Sequence, residues 1–257
     1  NRFDVVDLDP FGSPIPFADA GAQAARELLC VTATDTAPLC GAHGSGVRRY
    51  SAVPLNTEYH AEMGLRVLVG AMVRTAARYD VAATPVLSFA ERHYARTFLA
   101  LEDRATAADA ALEGLGHVAH CRDCLRRTEH PGLIFDGDRG CPRCGAERDV
   151  AGPLWLDPVH DDGFLEATRR EIDEGMDEGK RAGKVLRRLG GEIGTATHYD
   201  HHVICDRLEV GAGPIDDVLD ALHDRGHAAS RAHESGTALK TDATIEEIEE
   251  IVASQGS

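Results

Sequence analysis

The chain has 257 residues, enough for one large domain or two ordinary ones. It carries 27 basic and 43 acidic residues, net −16, and lysine occurs only at 180, 184 and 240. That sign excludes a broadly basic nucleic-acid-binding surface; it suits either a protein that avoids nucleic acid or, the favoured reading, a surface adapted to concentrated salt, where charge repulsion is screened.

The charge is uneven: −3 over residues 1–103 and −13 over residues 104–257. No run of about 18 or more apolar residues occurs, so no membrane-spanning helix is expected. The first residue, Asn1, opens directly onto an apolar run, which suggests a fragment that lacks its natural N-terminus. Of seven cysteines, four form two Cys-x-x-Cys pairs, and Cys30 lies in an apolar stretch. This favours a reducing cytoplasm and a metal site over a disulfide framework.

Residues 3–9 read as a buried strand, and 13–27 as a helix with Ile15, Ala18, Ala22 and Ala25 on one face. Residues 28–34 read as a second apolar strand, completing a strand-helix-strand unit. The polar, Gly-rich stretch 35–51 reads as an active-site or connecting loop, and it lacks the dinucleotide fingerprint. A strong helical period covers 58–79. Residues 84–89 and 94–101 read as two strands so close together that they pair as an antiparallel hairpin.

This order matches the second half of the doubly wound sheet of methyltransferases that use S-adenosylmethionine. The Gly-rich turn that holds the cofactor belongs after the first strand of such a sheet. The cofactor-binding residues are therefore expected upstream of Asn1, and the fragment alone is expected to be inactive. The expected fold is an α/β C-terminal half of a Rossmann-like sheet over 1–103, followed by an α+β C-terminal domain over 104–257. A short helix at 105–115 marks the boundary.

Farther on, 164–189 is highly charged and reads as one or two surface helices. Helical patterns recur at 204–208 and 214–223, and 227–242 looks extended with a turn at Ser235-Gly236. An acidic closing helix covers 244–252, with Thr244 as cap and Glu247 as its reciprocal partner.

The pairs Cys121/Cys124 and Cys141/Cys144, sixteen residues apart, form a four-sulfur set that suits a closed, structural zinc site. The module spans 117–148, and His117, His120 and His130 beside it read as bystanders. The cluster His198, Tyr199, His201 and His202 reads as a partly buried helix start. Arg48 and Arg49 beside Tyr50, and Arg231, His233 and Lys240 in the acidic half, are candidate RNA contacts; isolated surface charges are the plainer alternative.

The run Asp7-Leu8-Asp9-Pro10-Phe11-Gly12-Ser13-Pro14 closes the first strand. Its carboxylate and a backbone carbonyl suit an exocyclic NH2, and its ring suits a flipped base. The plainer alternative is a strand-ending turn with Phe11 in the core. This segment resembles the catalytic strand of the tRNA (guanine-26 N2)-dimethyltransferase family of archaea and eukaryotes. So do residues 32–41 and 58–66, the double Cys-x-x-Cys, residues 152–156, 229–233 and 239–242, all in the family's order. Residues 157–195 resemble it least, and the turn at Glu234-Ser235-Gly236 departs from the family's Pro-Thr-Gly type.

The resemblance implies transfer of one or two methyl groups from S-adenosylmethionine to the N2 amine of guanine 26 in tRNA. Asp9 would hold the amine, Pro10 would supply a carbonyl acceptor and Phe11 would stack on the base. Cys121, Cys124, Cys141 and Cys144 would hold zinc in a tRNA-binding C-terminal domain. It implies tRNA as the partner and a halophilic archaeal member, with no protein partner or membrane. Two other readings stay open: a non-catalytic, zinc-containing RNA-binding remnant, and an enzyme acting on an adenine N6 or a ribosomal guanine.

Overall fold

The computed structural model describes residues 2–91, 93–173 and 175–255. Strand β1 (Phe3–Leu8) leads into α1 (Ile15–Ala24) and β2 (Ala25–Ala33). Two short helices follow, α2 (Thr36–Leu39) and α3 (Gly46–Tyr50), in the stretch expected to be loop. Then come α4 (His60–Ala77), β3 (Val81–Glu91), β4 (Tyr94–Asp103) and α5 (Ala105–Glu113). The strands form one sheet in the order β1-β2-β4-β3, with β1 and β2 parallel and β4 antiparallel to both of its neighbours. The hairpin is thus as expected, with its second strand inserted against β2.

Two expectations need correction. The first strand is not buried: β1 pairs only with β2 among the described residues, and Phe3 and Val5 lie more than half exposed on its outer side. The first helix also ends three residues early. Ala25 must turn extended to pair with Phe3, and pairing outweighs the apolar period there. Gly21, which weakens the helix on propensity grounds, has a packing role. A Cβ on it would stand 2.8 Å from Leu8 Cδ1, so glycine lets α1 lie close on the sheet.

α4 is apolar nearly all round and buried along most of its length, as befits a helix enclosed by other elements. One side packs on β3. The other packs on the next sheet, made of β5 (Leu115–His120), β6 (Arg127–Pro131) and β7 (Asp149–Trp155) in the order β6-β5-β7. One apolar core therefore runs from Ala18 through Leu68 and Met72 to Val118, Leu154, Trp155 and Ala196, across residues 103–104.

The surface helices are α6 (Asp162–Glu171) and α7 (Gly179–Leu189), whose Leu165, Leu186 and Leu189 cover Leu87 of β3. Then β8 (Tyr199–Asp200), α8 (His201–Leu208), α9 (Ile215–Asp224), β9 (Ala229–Arg231), β10 (Ala238–Thr241) and α10 (Ile245–Gln255) enclose a second core of Ile204, Val218, Leu222, Ile248 and Ile251. The capping box forms: Thr244 N–H donates to Glu247 Oε2 at 2.8 Å and Glu247 N–H to Thr244 Oγ1 at 3.3 Å. No helix among the described residues is long and apolar enough to cross a membrane.

Candidate active site and zinc centre

The loop after β1 lies at the edge where β1 and β2 end. Gly12, at φ +91°, is in a region that costs other residues strain. Its N–H donates to Thr34 Oγ1 at 2.7 Å, and Thr34 N–H returns a bond to Gly12 O at 3.0 Å. Ser13 Oγ donates to Tyr50 OH at 3.1 Å, and Tyr50 OH donates to Asp35 Oδ1 at 2.6 Å. Arg49 completes the chain with a 2.9 Å bond to Asp35 Oδ2. Burial and the Asp35 carboxylate push the Tyr50 hydroxyl far up, so it stays a donor. The loop is thus anchored on both ends of the stretch 35–51, at Thr34 and Asp35 and at Tyr50. The sequence places Tyr50 beside the Arg48-Arg49 candidates and Asp35 in the family-like segment 32–41, but their pairing with each other and with Ser13 went unrecognised.

The two aspartates of the run are treated differently. Asp7 is gripped by Arg96 at 2.8 and 3.0 Å, and that guanidinium lies over the Phe98 ring at 4.8 Å. Asp9 is exposed and, among the described residues, has no hydrogen bond or ion pair. Phe11 is not a core residue: its side chain is fully exposed at the loop tip. An unengaged carboxylate two residues from a bare aromatic ring leaves a hydrogen-bond acceptor and an apolar face open at the sheet edge.

The cysteines converge. One ligand atom from each of Cys121, Cys124, Cys141 and Cys144 lies within 4.8 Å of the others, and Cys121–Cys144 and Cys124–Cys141 are each 3.5 Å apart. That is far beyond a disulfide bond and close to the roughly 3.8 Å edge of a tetrahedron with zinc–sulfur bonds of about 2.3 Å. Both pairs use the same turn. Leu125 N–H bonds Cys121 O and Gly145 N–H bonds Cys141 O, with Leu125 and Gly145 both at positive φ. Burial pushes the Cys124 thiol up to about 12, whereas backbone N–H groups of Cys144 and Arg143 overcome burial and hold Cys141 down at about 6. The histidines stand aside: His120 packs edge-on to Tyr59, and His117 and His130 pack on Phe135.

Of the RNA candidates, Arg48 is exposed and Arg49 holds Asp35. Arg231 is tied to Asp216 at 2.8 Å. Lys240 is a correction. It is 2 % exposed, and its Nζ donates to Glu62 Oε1 at 3.0 Å and lies 2.7 Å from Glu192 Oε1. A buried ammonium between two carboxylates cannot reach a phosphate. Arg66 joins the same cluster: it donates to Glu62 at 2.7 Å and to the carbonyls of Trp155, Leu156, Asp157 and Thr195. His233 donates to Glu192 at 2.8 Å, and Glu234 lies beside it. Glu62, Glu192, His233 and Glu234 approach metal-ligand spacing, but the Lys240 ammonium already supplies the cation.

His198 and His201 are buried, as expected of a helix start, and Asp200 caps α8 by accepting from His202 N–H at 2.9 Å. Next to them Arg127 lies between the rings of Tyr59 and Tyr199, at 4.4 and 3.9 Å, and pairs with Glu58 at 2.6 Å.

A family model described as N2,N2-dimethylguanosine tRNA methyltransferase matches residues 1–253. The chain belongs to this family. Among similar proteins, the tRNA (guanine(26)-N(2))-dimethyltransferase of Haloarcula marismortui is 54% identical over 98% of this chain and 69% of its own length. That of Halobacterium salinarum is 53% identical over 97% of this chain and 68% of its own. Among solved structures, Trm1 from Pyrococcus horikoshii with S-adenosyl-L-methionine superposes with a TM-score of 0.87 at 36% identity, covering 97% of this chain and 66% of that one. The chain thus spans about two thirds of the length of these relatives. The fold is that of an α/β methyltransferase with a four-cysteine cluster, and the family match disfavours a non-catalytic remnant.

Proposed function

We propose that the protein transfers methyl groups from S-adenosylmethionine to the exocyclic N2 of guanine 26 in tRNA, and that Asp9, Pro10 and Phe11 handle the acceptor. The observation that carries the assignment is the contrast at the end of β1: Asp7 is clamped, whereas Asp9 and Phe11 are free at the edge of the sheet. The family and its relatives support the substrate and the donor.

The donor supplies an already activated methyl group, so the chain's task is to position the amine. A guanine N2 is a poor nucleophile because its lone pair is delocalised into the ring. Hydrogen bonds from the NH2 to the Asp9 carboxylate and the Pro10 carbonyl turn that lone pair toward the methyl. Asp9 also stabilises the positive charge that grows on nitrogen. Phe11 stacks on the base once it leaves the RNA helix. The turn after β1 is not Gly-rich and the Gly-rich stretch after β2 lacks the dinucleotide fingerprint, and we assign no residue of 1–257 to the donor's methionine or ribose.

Zinc fits Cys121, Cys124, Cys141 and Cys144. Four thiolates close its shell, so its role is to hold the two turns together. The segment 104–257 is the tRNA-binding part in this reading.

Replacing Asp9 with Ala tests the assignment. Turnover of tRNA in the complete enzyme falls about a hundredfold or more, with little change in tRNA affinity, since affinity comes from many distant phosphates. Unchanged turnover would remove Asp9 from the mechanism.

A further inference from the structure

α7 contrasts with the rest of the molecule. In eleven residues it holds Lys180, Arg181, Lys184, Arg187 and Arg188 and no acidic residue. Two of the chain's three lysines are here, in a protein of net charge −16. All five side chains are exposed. Most arginines elsewhere are tied to a carboxylate or a carbonyl. Among the described residues, the Lys180, Lys184, Arg187 and Arg188 side chains make no ion pair or hydrogen bond. Only Arg181 is paired, at 3.5 Å from Glu91 and 3.8 Å from Glu178.

The spacing is directional. Residues 180, 184 and 187/188 fall on one helix face, while Leu186 and Leu189 are buried on the other. Four residues advance about 6 Å along a helix, so the cations form a row rather than a knot. Beside the row runs a groove of about 490 Å³ against α6, lined by Lys180 and Arg187 and, across from them, by Arg169 and Arg170, both paired with Glu166. At its other end Arg188 reaches a second cavity, of about 660 Å³, which it lines with Thr36, Glu91, Tyr94 and His198.

The row also points somewhere. Ala95 of β4 pairs with Ala33 of β2, and Val31 pairs with Leu8 of β1. The β3–β4 hairpin tip therefore lies at the same sheet edge as the Asp9–Phe11 loop. Arg181 on Glu91 and Arg188 beside Tyr94 fix α7 at that tip.

We propose that the free face of α7 is a phosphate track that carries the tRNA backbone toward the Asp9–Phe11 loop. This rests on the tRNA reading above and names the surface that serves it. A row of unpaired cations on an acidic protein attracts a polyanion locally, while the surrounding acidic surface repels it elsewhere; the row fixes where the backbone lies and leaves base choice to the loop.

The test is Lys180→Gln, Lys184→Gln and Arg187→Gln together in the complete enzyme, with binding of fluorescently labelled tRNA followed over a KCl series and every comparison made with the complete wild-type enzyme. Three lost phosphate contacts make the plot of log affinity against log salt shallower by about 2–3 units and weaken binding at the lowest salt by at least about tenfold. The melting temperature and turnover at saturating tRNA stay at the wild-type level.

A matched control, Arg139→Gln with Arg207→Gln, changes exposed cations elsewhere. An equal drop per charge in the control would show that net charge alone is at work and would overturn the track. So would an unchanged slope in the triple variant while the wild-type protein binds and methylates tRNA. A wild-type protein that neither binds nor methylates tRNA would instead remove the function itself and the track with it.

Discussion

Replacing Lys240 with Met separates two incompatible roles for the same residue. In the structure its ammonium lies 3.0 Å from Glu62 Oε1 and 2.7 Å from Glu192 Oε1, and all three side chains are at most 2 % exposed. Met fills most of the volume and removes the charge. Glu62 keeps Arg66 and Glu192 keeps His233, so neither carboxylate is wholly abandoned. What is lost is two buried charged contacts, each about 1.5–3 kcal/mol, and their sum of about 3–6 kcal/mol covers the roughly 3–5 kcal/mol expected for breaking a buried pair. At about 2–4 °C per kcal/mol for a chain of this size, a loss of about 3–5 kcal/mol lowers the melting temperature by roughly 6–20 °C. Thermal unfolding at pH 7, followed by circular dichroism, reads this directly, and tRNA affinity of the folded variant is measured beside it. A melting point within about 2 °C of wild type, together with weakened tRNA binding, would refute the buried-clamp reasoning and restore a phosphate contact.

Stability should peak near pH 6.5. Burial opposes the charge of His233, but Glu234 and Glu192 raise it to about 9, so its contribution is complete below 6.5 and is lost as pH rises through 9; burial raises Glu234 from 4.5 to about 8, so its contribution is complete below 4.5 and is lost from there through pH 8, opposing the two histidines of the acid side and adding to the alkaline fall. On the acid side, burial lowers His198 to about 4 and His120 to about 3, so both fold neutral, and their contribution is lost as pH falls below 6.5 toward those values. Melting temperatures from pH 4 to 9.5 check the dome, and Glu234→Gln should flatten part of its alkaline limb; a monotonic rise to pH 9 would contradict it. Elemental analysis of protein purified without added metal should find one zinc per chain, and a chelator should unfold 117–148, since binding and folding of such a site are linked; metal-free protein with that segment intact would remove the zinc. Melting temperature should rise from dilute buffer to molar KCl because of the −16 charge, and equal stability in both would argue against salt adaptation.

Element types were largely legible in the sequence because period and caps are local. The capping box at Thr244 and Glu247 and the core helix α4 follow from residues within a turn or two of each other. The Asp9–Phe11 loop was legible as a motif, but the choice between a core and an exposed Phe11 was not, since it depends on what stands opposite. Lys240 was misread for the same reason: its charge is visible, but its partner Glu62 lies 178 positions away. The α7 row was hidden by averaging. Acidic residues at 171, 173, 174, 177 and 178 precede it, so a window over 164–189 looks nearly neutral, while α7 itself places only cations on one face.

Arg66 has a consequence for how the molecule can be divided. Its guanidinium is satisfied only when a helix before residue 104 meets carbonyls contributed by 155–157 and 195. Cut the chain at 103, and one piece keeps Arg66 with Glu62 alone, its two terminal nitrogens stripped of their carbonyl acceptors, while the other exposes the β7 face that covered it. Neither piece is then a faithful sample of its half. The elements before and after residue 104 share one core, so truncation on either side should register as loss of the whole in a melt, and studies of their separate affinities belong on the intact chain with surface point substitutions.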